Sequence, residues 1–246
     1  MDLQIEGQPM KKAVKPRADA HTPAPAQTSK RRSMAVDVHD QKREHILRIA
    51  EDLFYRRGFA VTTISDIVHE LGVTKPFLYY YFQSKNDIFE TLCWRASHAC
   101  LTAMHFDALD SRPAIERLRE GLHRFASANV TYFKSGTFAY REGGALQPAF
   151  LKKLRTMARR FYSELRALLE EARGDGDLEF DDAKLTSLAI GSIAGFMYTW
   201  YKPEGRLSPD EMVEEMTRIL LKIAGVRVQK GSIRALKAKK ARTASK

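Results

Sequence analysis

Four residues with metal-ligating or nucleophilic side chains, Cys93, His98, Cys100 and His105, fall in one stretch of helical pattern. Their spacings of five, two and five do not return to one helix face, where neighbours lie three or four apart, so four ligands do not converge on a metal. The two cysteines are seven residues apart. On a helix that is about 10 Å of rise, beyond the roughly 7 Å a disulfide spans between Cα atoms, and they read as reduced thiols. No glycine-rich phosphate loop or nucleophile elbow occurs, and no nucleophile is paired with a base. These residues predict no enzyme, no metal and no cofactor. A different chemistry stands in Lys75-Pro76-Phe77-Leu78-Tyr79-Tyr80-Tyr81-Phe82. With Leu78 inward, helical phase leaves Lys75, Phe77, Tyr79 and Tyr81 pointing outward. Tyrosines on such a face can stack on sugars, touch a thymine methyl and donate to phosphate. The competing reading is that these aromatics fill a core, yet three adjacent tyrosines cannot all face inward.

The elements that must position this face are short helices. A first helix is predicted from about Asp40 to Arg57, with Ile46, Ile49, Ala50, Leu53 and Phe54 on one side and Gly58 as its stop. A second begins at Thr63, capped reciprocally with Asp66, and ends at Leu71-Gly72. The third follows Thr74 as cap, with Pro76 in the first turn, and ends near Phe82. Two short helices joined by a glycine turn make a helix-turn-helix, whose N-termini at Thr63 and Thr74 direct N–H groups at phosphates. Ser84 with Asp87 opens a longer helix towards Phe106, and further helices fit Pro113 to Lys134, Gln147 to Arg173, Asp181 to Tyr201 and Ser208 to Ala224, the last with a Ser208/Glu211 capping box. No alternating strand pattern occurs, so the predicted fold is all-α.

The formal charge of +11 suggests a polyanionic partner, but it lies in the tails. Residues 1–33 carry seven Lys/Arg against three acids, and residues 226–246 carry eight with none. Residues 34–85, which hold the helix-turn-helix, are formally neutral, with seven bases and seven acids. DNA binding therefore rests on arrangement and not on net charge. Both tails are poor in large apolar residues and read as disordered, with Arg31-Arg32 available as a minor-groove arm or as part of a solubilising tail. No apolar run reaches membrane-spanning length and no secretory leader is apparent, which predicts a cytoplasmic protein without a membrane partner.

The run Thr62-Thr63-Ile64-Ser65-Asp66-Ile67, then Leu71 to Phe82 and Ser84-Lys85, with Ala50, Leu53, Phe54 and Gly58-Phe59 before it, closely resembles the N-terminal signature of the TetR family of transcriptional regulators. The resemblance implies an N-terminal three-helix DNA-binding domain, residues 34–85, and a helical effector-binding and dimerisation domain, residues 86–225. It implies DNA contacts from Thr63, Ser65, Thr74, Lys75, Phe77, Tyr79, Tyr80 and Tyr81, and a phosphate contact from Lys85. Phe77 departs from the family, many of whose members carry a small residue there. The implied partners are a double-stranded, palindromic DNA operator, a second copy of the chain and a small-molecule effector, and the implied role is that of a repressor, with activation left open. The segment Thr199-Trp200-Tyr201 through Leu207-Ser208-Pro209 is similar to members controlling fatty-acid, sterol or acyl-CoA degradation, which implies a hydrophobic or acyl-CoA effector.

For that effector the candidate pocket residues are Phe125, Phe133, Arg141, Phe161, Phe196 and Trp200, with Arg141 and Lys152-Lys153 available to CoA phosphates. Gly191 and Gly195 space small residues four apart on one helix face, and Met216 and Leu220 lie on an apolar stripe of the last helix. Together they form the candidate two-fold interface of four helices, although an internal core fits the pattern nearly as well. The alternative function is an effector-independent structural or adaptor protein with the same headpiece.

Overall fold

The computed structural model describes residues 25–226, with side chains from residue 38. Most of the basic N-terminal tail and nearly all of the C-terminal one lie outside the described residues, and so do the side chains of Arg31 and Arg32. Among the described residues the architecture is helical, with one isolated antiparallel bridge between Leu178 and Val226. The helices are α1 (Pro25–Arg57), α2 (Ile64–Leu71), α3 (Lys75–Tyr81), α4 (Lys85–Leu101), α5 (Ala114–Thr131), α6 (Phe133–Arg141), α7 (Pro148–Gly174), α8 (Ala183–Gly195) and α9 (Pro209–Ile223), with single 3-10 turns at Gly143–Ala145 and Met197–Thr199. Among the described residues, 25–42 fall in one unit and 43–226 in another.

α1 begins at Pro25 and not at Asp40, so it takes in part of the stretch read as tail. Residues 25–36 are rich in Ala, Gln, Lys, Arg and Met, which favour helix without an apolar stripe to announce it. A second departure is the segment 133–141. One helix was expected to run to Lys134; α5 ends at Thr131 and a separate α6 follows Tyr132, whose φ of −99° and ψ of 25° leave the α-helical region. Phe133-Lys134-Ser135-Gly136-Thr137 is weak in helix formers, and packing stabilises α6 instead. α4 also ends earlier than expected, at Leu101, and α8 gives way to a 3-10 turn after Gly195.

Two hydrophobic cores organise the unit from Arg43 onward. The first gathers Ile46, Leu47, Ala50, Leu53 and Phe54 of α1 with Ile67, Leu78, Phe82, Ile88 and Phe89, and it extends to Phe138 of α6. Phe54 meets Phe59, Phe89 and Phe138 edge-on, at centroid distances of 5.3, 6.0 and 5.8 Å. The second core joins α5, α7, α8 and α9 around Leu118, Leu122, Phe125, Phe161, Leu165, Ile190, Met216 and Leu220. The headpiece is therefore built onto the body through α4 and α6. Polar ties reinforce the joint: Lys134 donates to Asp52 at 3.0 Å and the Ser135 hydroxyl to Glu51 at 2.5 Å.

Candidate nucleic-acid interface

Local sequence fixes α2 at both ends. The Thr63 hydroxyl accepts from the Asp66 amide at 3.1 Å, and the Asp66 carboxylate accepts from the Thr63 amide at 2.7 Å, completing the reciprocal cap. That hydrogen bonding, from the Thr63 hydroxyl first and then its amide, lowers the Asp66 pKa below the ordinary 3.8, so the carboxylate is ionised at neutral pH. At the other end Gly72 sits at φ 66°, a left-handed conformation that favours glycine, and the Val73 amide returns to the Val68 carbonyl at 3.0 Å. Ile67 and Val68 are buried beneath, leaving Thr63, Ser65, His69 and Glu70 exposed.

α3 follows from extended backbone at Thr74 (φ −91°, ψ 157°), whose hydroxyl makes no cap hydrogen bond, contrary to the expected side-chain cap. Pro76 occupies the first turn, where a missing N–H removes no helix bond. Leu78 is fully buried and fixes the phase, so Tyr80 and Tyr79 lie outermost, at 73% and 50% exposure. Phe77 and Tyr81 are half-buried and pack against the headpiece core, with rings 5.3 Å apart. This corrects the outward placement of both. Four residues apart on a helix, they share the flank beside Leu78, and their rings cover the core edge.

Across α2, the turn and α3 the exposed residues include Thr63, Ser65, Thr74, Lys75, Tyr79 and Tyr80, while Phe77 and Tyr81 are half-buried. The exposed residues offer hydroxyl donors, one ammonium and two aromatic faces on a rigid, core-backed frame, the set that phosphate, sugar and base edges require. Lys85 stands apart. Expected as a phosphate ligand, it turns inward and donates to the carbonyls of Phe59, Ala60 and Thr62 at 2.8, 3.3 and 2.8 Å.

The six candidate pocket residues differ in placement. Phe125 and Phe161 are buried against each other at 4.9 Å in the body core, while Arg141, Phe196 and Trp200 are exposed. Phe133 lines two cavities among the described residues. One of about 410 Å³ is bounded by Glu51 of α1, Val130 and Thr131 of α5, Phe133 and Lys134 of α6, Tyr201, and Asp210 and Val213 of α9. Another, of about 40 Å³, is lined by Cys100, Asn129, Tyr132, Phe133 and Tyr198. Lys153 is also committed elsewhere, its ammonium 3.4 Å above the Trp94 ring. Burial raises the thiols of Cys93 and Cys100 to about 12, so both are protonated at neutral pH.

The proposed dimer residues divide likewise. Met216 and Leu220 belong to the chain's own core, and Gly191 is buried against α7. A Cβ at Gly191 would lie 2.4 Å from the Tyr162 hydroxyl, so its small size serves a helix crossing inside one chain. Gly195 is exposed, with nothing within 4 Å of the place a Cβ would take. The apolar surface of these helices lies one face over: Leu185, Leu188, Ile193 and Phe196 from α8 and its end, with Ile219 of α9, are 38% to 65% exposed.

Comparison with known proteins agrees with this architecture. Residues 46–92 match the family model described as bacterial regulatory proteins, tetR family, and residues 111–224 match the one described as tetracyclin repressor-like, C-terminal domain. The HTH-type transcriptional repressor KstR2 of Mycobacterium tuberculosis is 26% identical over 189 residues, covering 74% of this chain and 92% of that protein. A solved regulator of the TetR/AcrR family from Thermobifida fusca is 30% identical, with a TM-score of 0.57, and covers 74% of this chain and 97% of its own. The structure of AibR in complex with isovaleryl coenzyme A and operator DNA shares the fold at 20% identity and a TM-score of 0.55, over 72% of this chain and 97% of that one.

Proposed function

Because the chain belongs to the TetR family of DNA-binding transcriptional regulators, we propose that it is a repressor that binds a palindromic operator as a homodimer and is released by a small effector. The observation that carries this reading is the α2–α3 surface. Leu78 and Ile67 anchor it from below while Thr63, Ser65, Thr74, Lys75, Tyr79 and Tyr80 face solvent on one frame. Tyr79 and Tyr80 supply the groove contacts in this reading, and the hydroxyls with Lys75 supply the backbone contacts that set register. A two-fold dimer places two such surfaces about one helical turn of DNA apart, and a palindrome follows from its symmetry. Selection of duplexes from a random pool by the full chain tests this. A single inverted repeat is the expected product; an unstructured or A/T-biased pool would contradict it and favour an architectural role.

For the dimer, the exposed stripe Leu185, Leu188, Ile193, Phe196 and Ile219 replaces the residues that proved internal. Contiguous apolar surface of this kind on two adjacent helices suits a four-helix contact between copies. For the effector, the cavity of about 410 Å³ suits an acyl group better than a whole coenzyme A, whose nucleotide would remain at the surface. The acyl-CoA reading is supported by AibR, whose structure holds isovaleryl coenzyme A with operator DNA. Because Glu51 of α1 and Lys134 of α6 share the cavity wall, an occupant there bears on the joint between body and headpiece. A calorimetric titration with a panel of acyl-CoAs, repeated with bound operator, is the direct check. Heat together with DNA release supports the class, and no heat from any member removes it.

A further inference from the structure

Lys85 occupies the first position of α4, where the positive end of the helix dipole disfavours a cation. Something must offset that cost. Its ammonium lies 4.3 Å from the centre of the Phe59 ring and donates to the carbonyls of Phe59, Ala60 and Thr62. An ammonium has three N–H donors, and here each has a carbonyl, so a phosphate oxygen could bond to it only by displacing one. These carbonyls belong to the connection between α1 and α2. Gly58 turns the chain at φ 91°, and the buried Thr62 hydroxyl returns to the Gly58 carbonyl at 2.7 Å. The next residue is Thr63, the cap of α2, and Ser65 follows in its first turn. Behind the connection, Phe59 packs on Phe89 of α4 with ring centres 4.2 Å apart.

We propose that Lys85 is a positioning residue for DNA binding: by gathering three carbonyls of the α1–α2 connection onto the start of α4, it sets where Thr63 and Ser65 meet the DNA, and it does not itself ligate a phosphate. The role rests on the reading that the N-terminus of α2 contacts the operator. It also gives α4, the helix that leaves the headpiece for the body, a direct hold on that contact.

The test is the salt dependence of operator affinity, measured with the full chain on the duplex that selection recovers, at a temperature where circular dichroism shows every variant folded. Loss of a direct phosphate contact flattens the slope of log K against log salt by about 0.9 for each contact, and exposed Lys75→Met, which removes one from each copy of a dimer, is expected to flatten it by about 1.8. Lys85→Met is expected to weaken binding about tenfold or more, the scale of a hydrogen bond to a charged group, with the slope unchanged. A flattened slope in Lys85→Met overturns the proposal. Lys85→Arg retains the charge, but its planar fork does not fit three converging carbonyls. It is expected to bind more weakly than the wild type at the wild-type slope, and wild-type affinity in this variant would overturn the proposal as well. Combining Lys85→Met with Ser65→Ala should lose less than the product of the two single losses, because both act through one contact. A loss equal to that product refutes the route through α2. If Ser65→Ala alone binds like the wild type, the Ser65 contact falls, and the salt slopes judge Lys85 by themselves.

Discussion

Thr63 and Asp66 exchange hydrogen bonds at the start of α2, and the exchange ties the headpiece to pH. Asp66 has a pKa lowered by its bonds to Thr63, so its contribution is fully present above the ordinary carboxylate value of 3.8 and is lost as pH falls through the lower folded value. Asp66→Asn should therefore melt below the wild type at neutral pH, and the gap should close as pH falls below 3.8. Thermal melts of both proteins across that range check this; a constant gap would mean that the carboxylate's charge is irrelevant to the cap. Local pairings of this kind, three residues apart, were legible in the sequence for Thr63/Asp66 and Ser208/Glu211. Lys85 was not legible, because its carbonyl partners lie 23 to 26 residues away and no spacing rule reaches them. Phe77 and Tyr81 were misplaced for a smaller reason: binary patterning sorts residues into in and out, whereas both lie on the flank between.

At the scale of elements, α6 carries more structural weight than its composition announces. Phe138 is 1% exposed and meets both Phe54 of α1 and Phe89 of α4, at 5.8 and 5.5 Å. Truncating such a ring costs about 3 to 5 kcal/mol, a large part of the roughly 5 to 15 kcal/mol that holds a domain together. Phe138→Ala is expected to lower the urea midpoint accordingly and to loosen the headpiece with the body. Unfolding that leaves the midpoint unchanged would show that α6 is peripheral to the headpiece. The sequence disclosed α2, α3, α7 and α9 through caps and apolar periodicity. It did not disclose α6, whose Gly, Ser and Thr oppose helix locally while tertiary contacts favour it. The same limit misdirected the small-residue stripe of α8. Gly191 does allow a close approach, but by Tyr162 of the same chain.

For the whole molecule, charge and symmetry decide how the pieces act together. The excess of basic residues lies in the first 33 and last 21 positions and leaves the headpiece neutral, so in the proposed reading specificity is assigned to the exposed hydroxyls, Lys75 and tyrosines. Leu185→Asp with Leu188→Asp places charge on the exposed α8 stripe without entering either core. In sedimentation the variant should run as a monomer where the wild type is a dimer, and a dimer in both would move the interface elsewhere. Reading of DNA by α2 and α3 is tested most directly by the affinity of Tyr79→Ala/Tyr80→Ala for the selected operator, set against its affinity for unrelated DNA. Both rings are at least half exposed, so the fold should survive their loss. The expected result is a fall of about a hundredfold or more in operator affinity, from groove contacts at about 1 to 3 kcal/mol each, with little change on unrelated DNA. Operator binding at wild-type strength by the folded variant would contradict it.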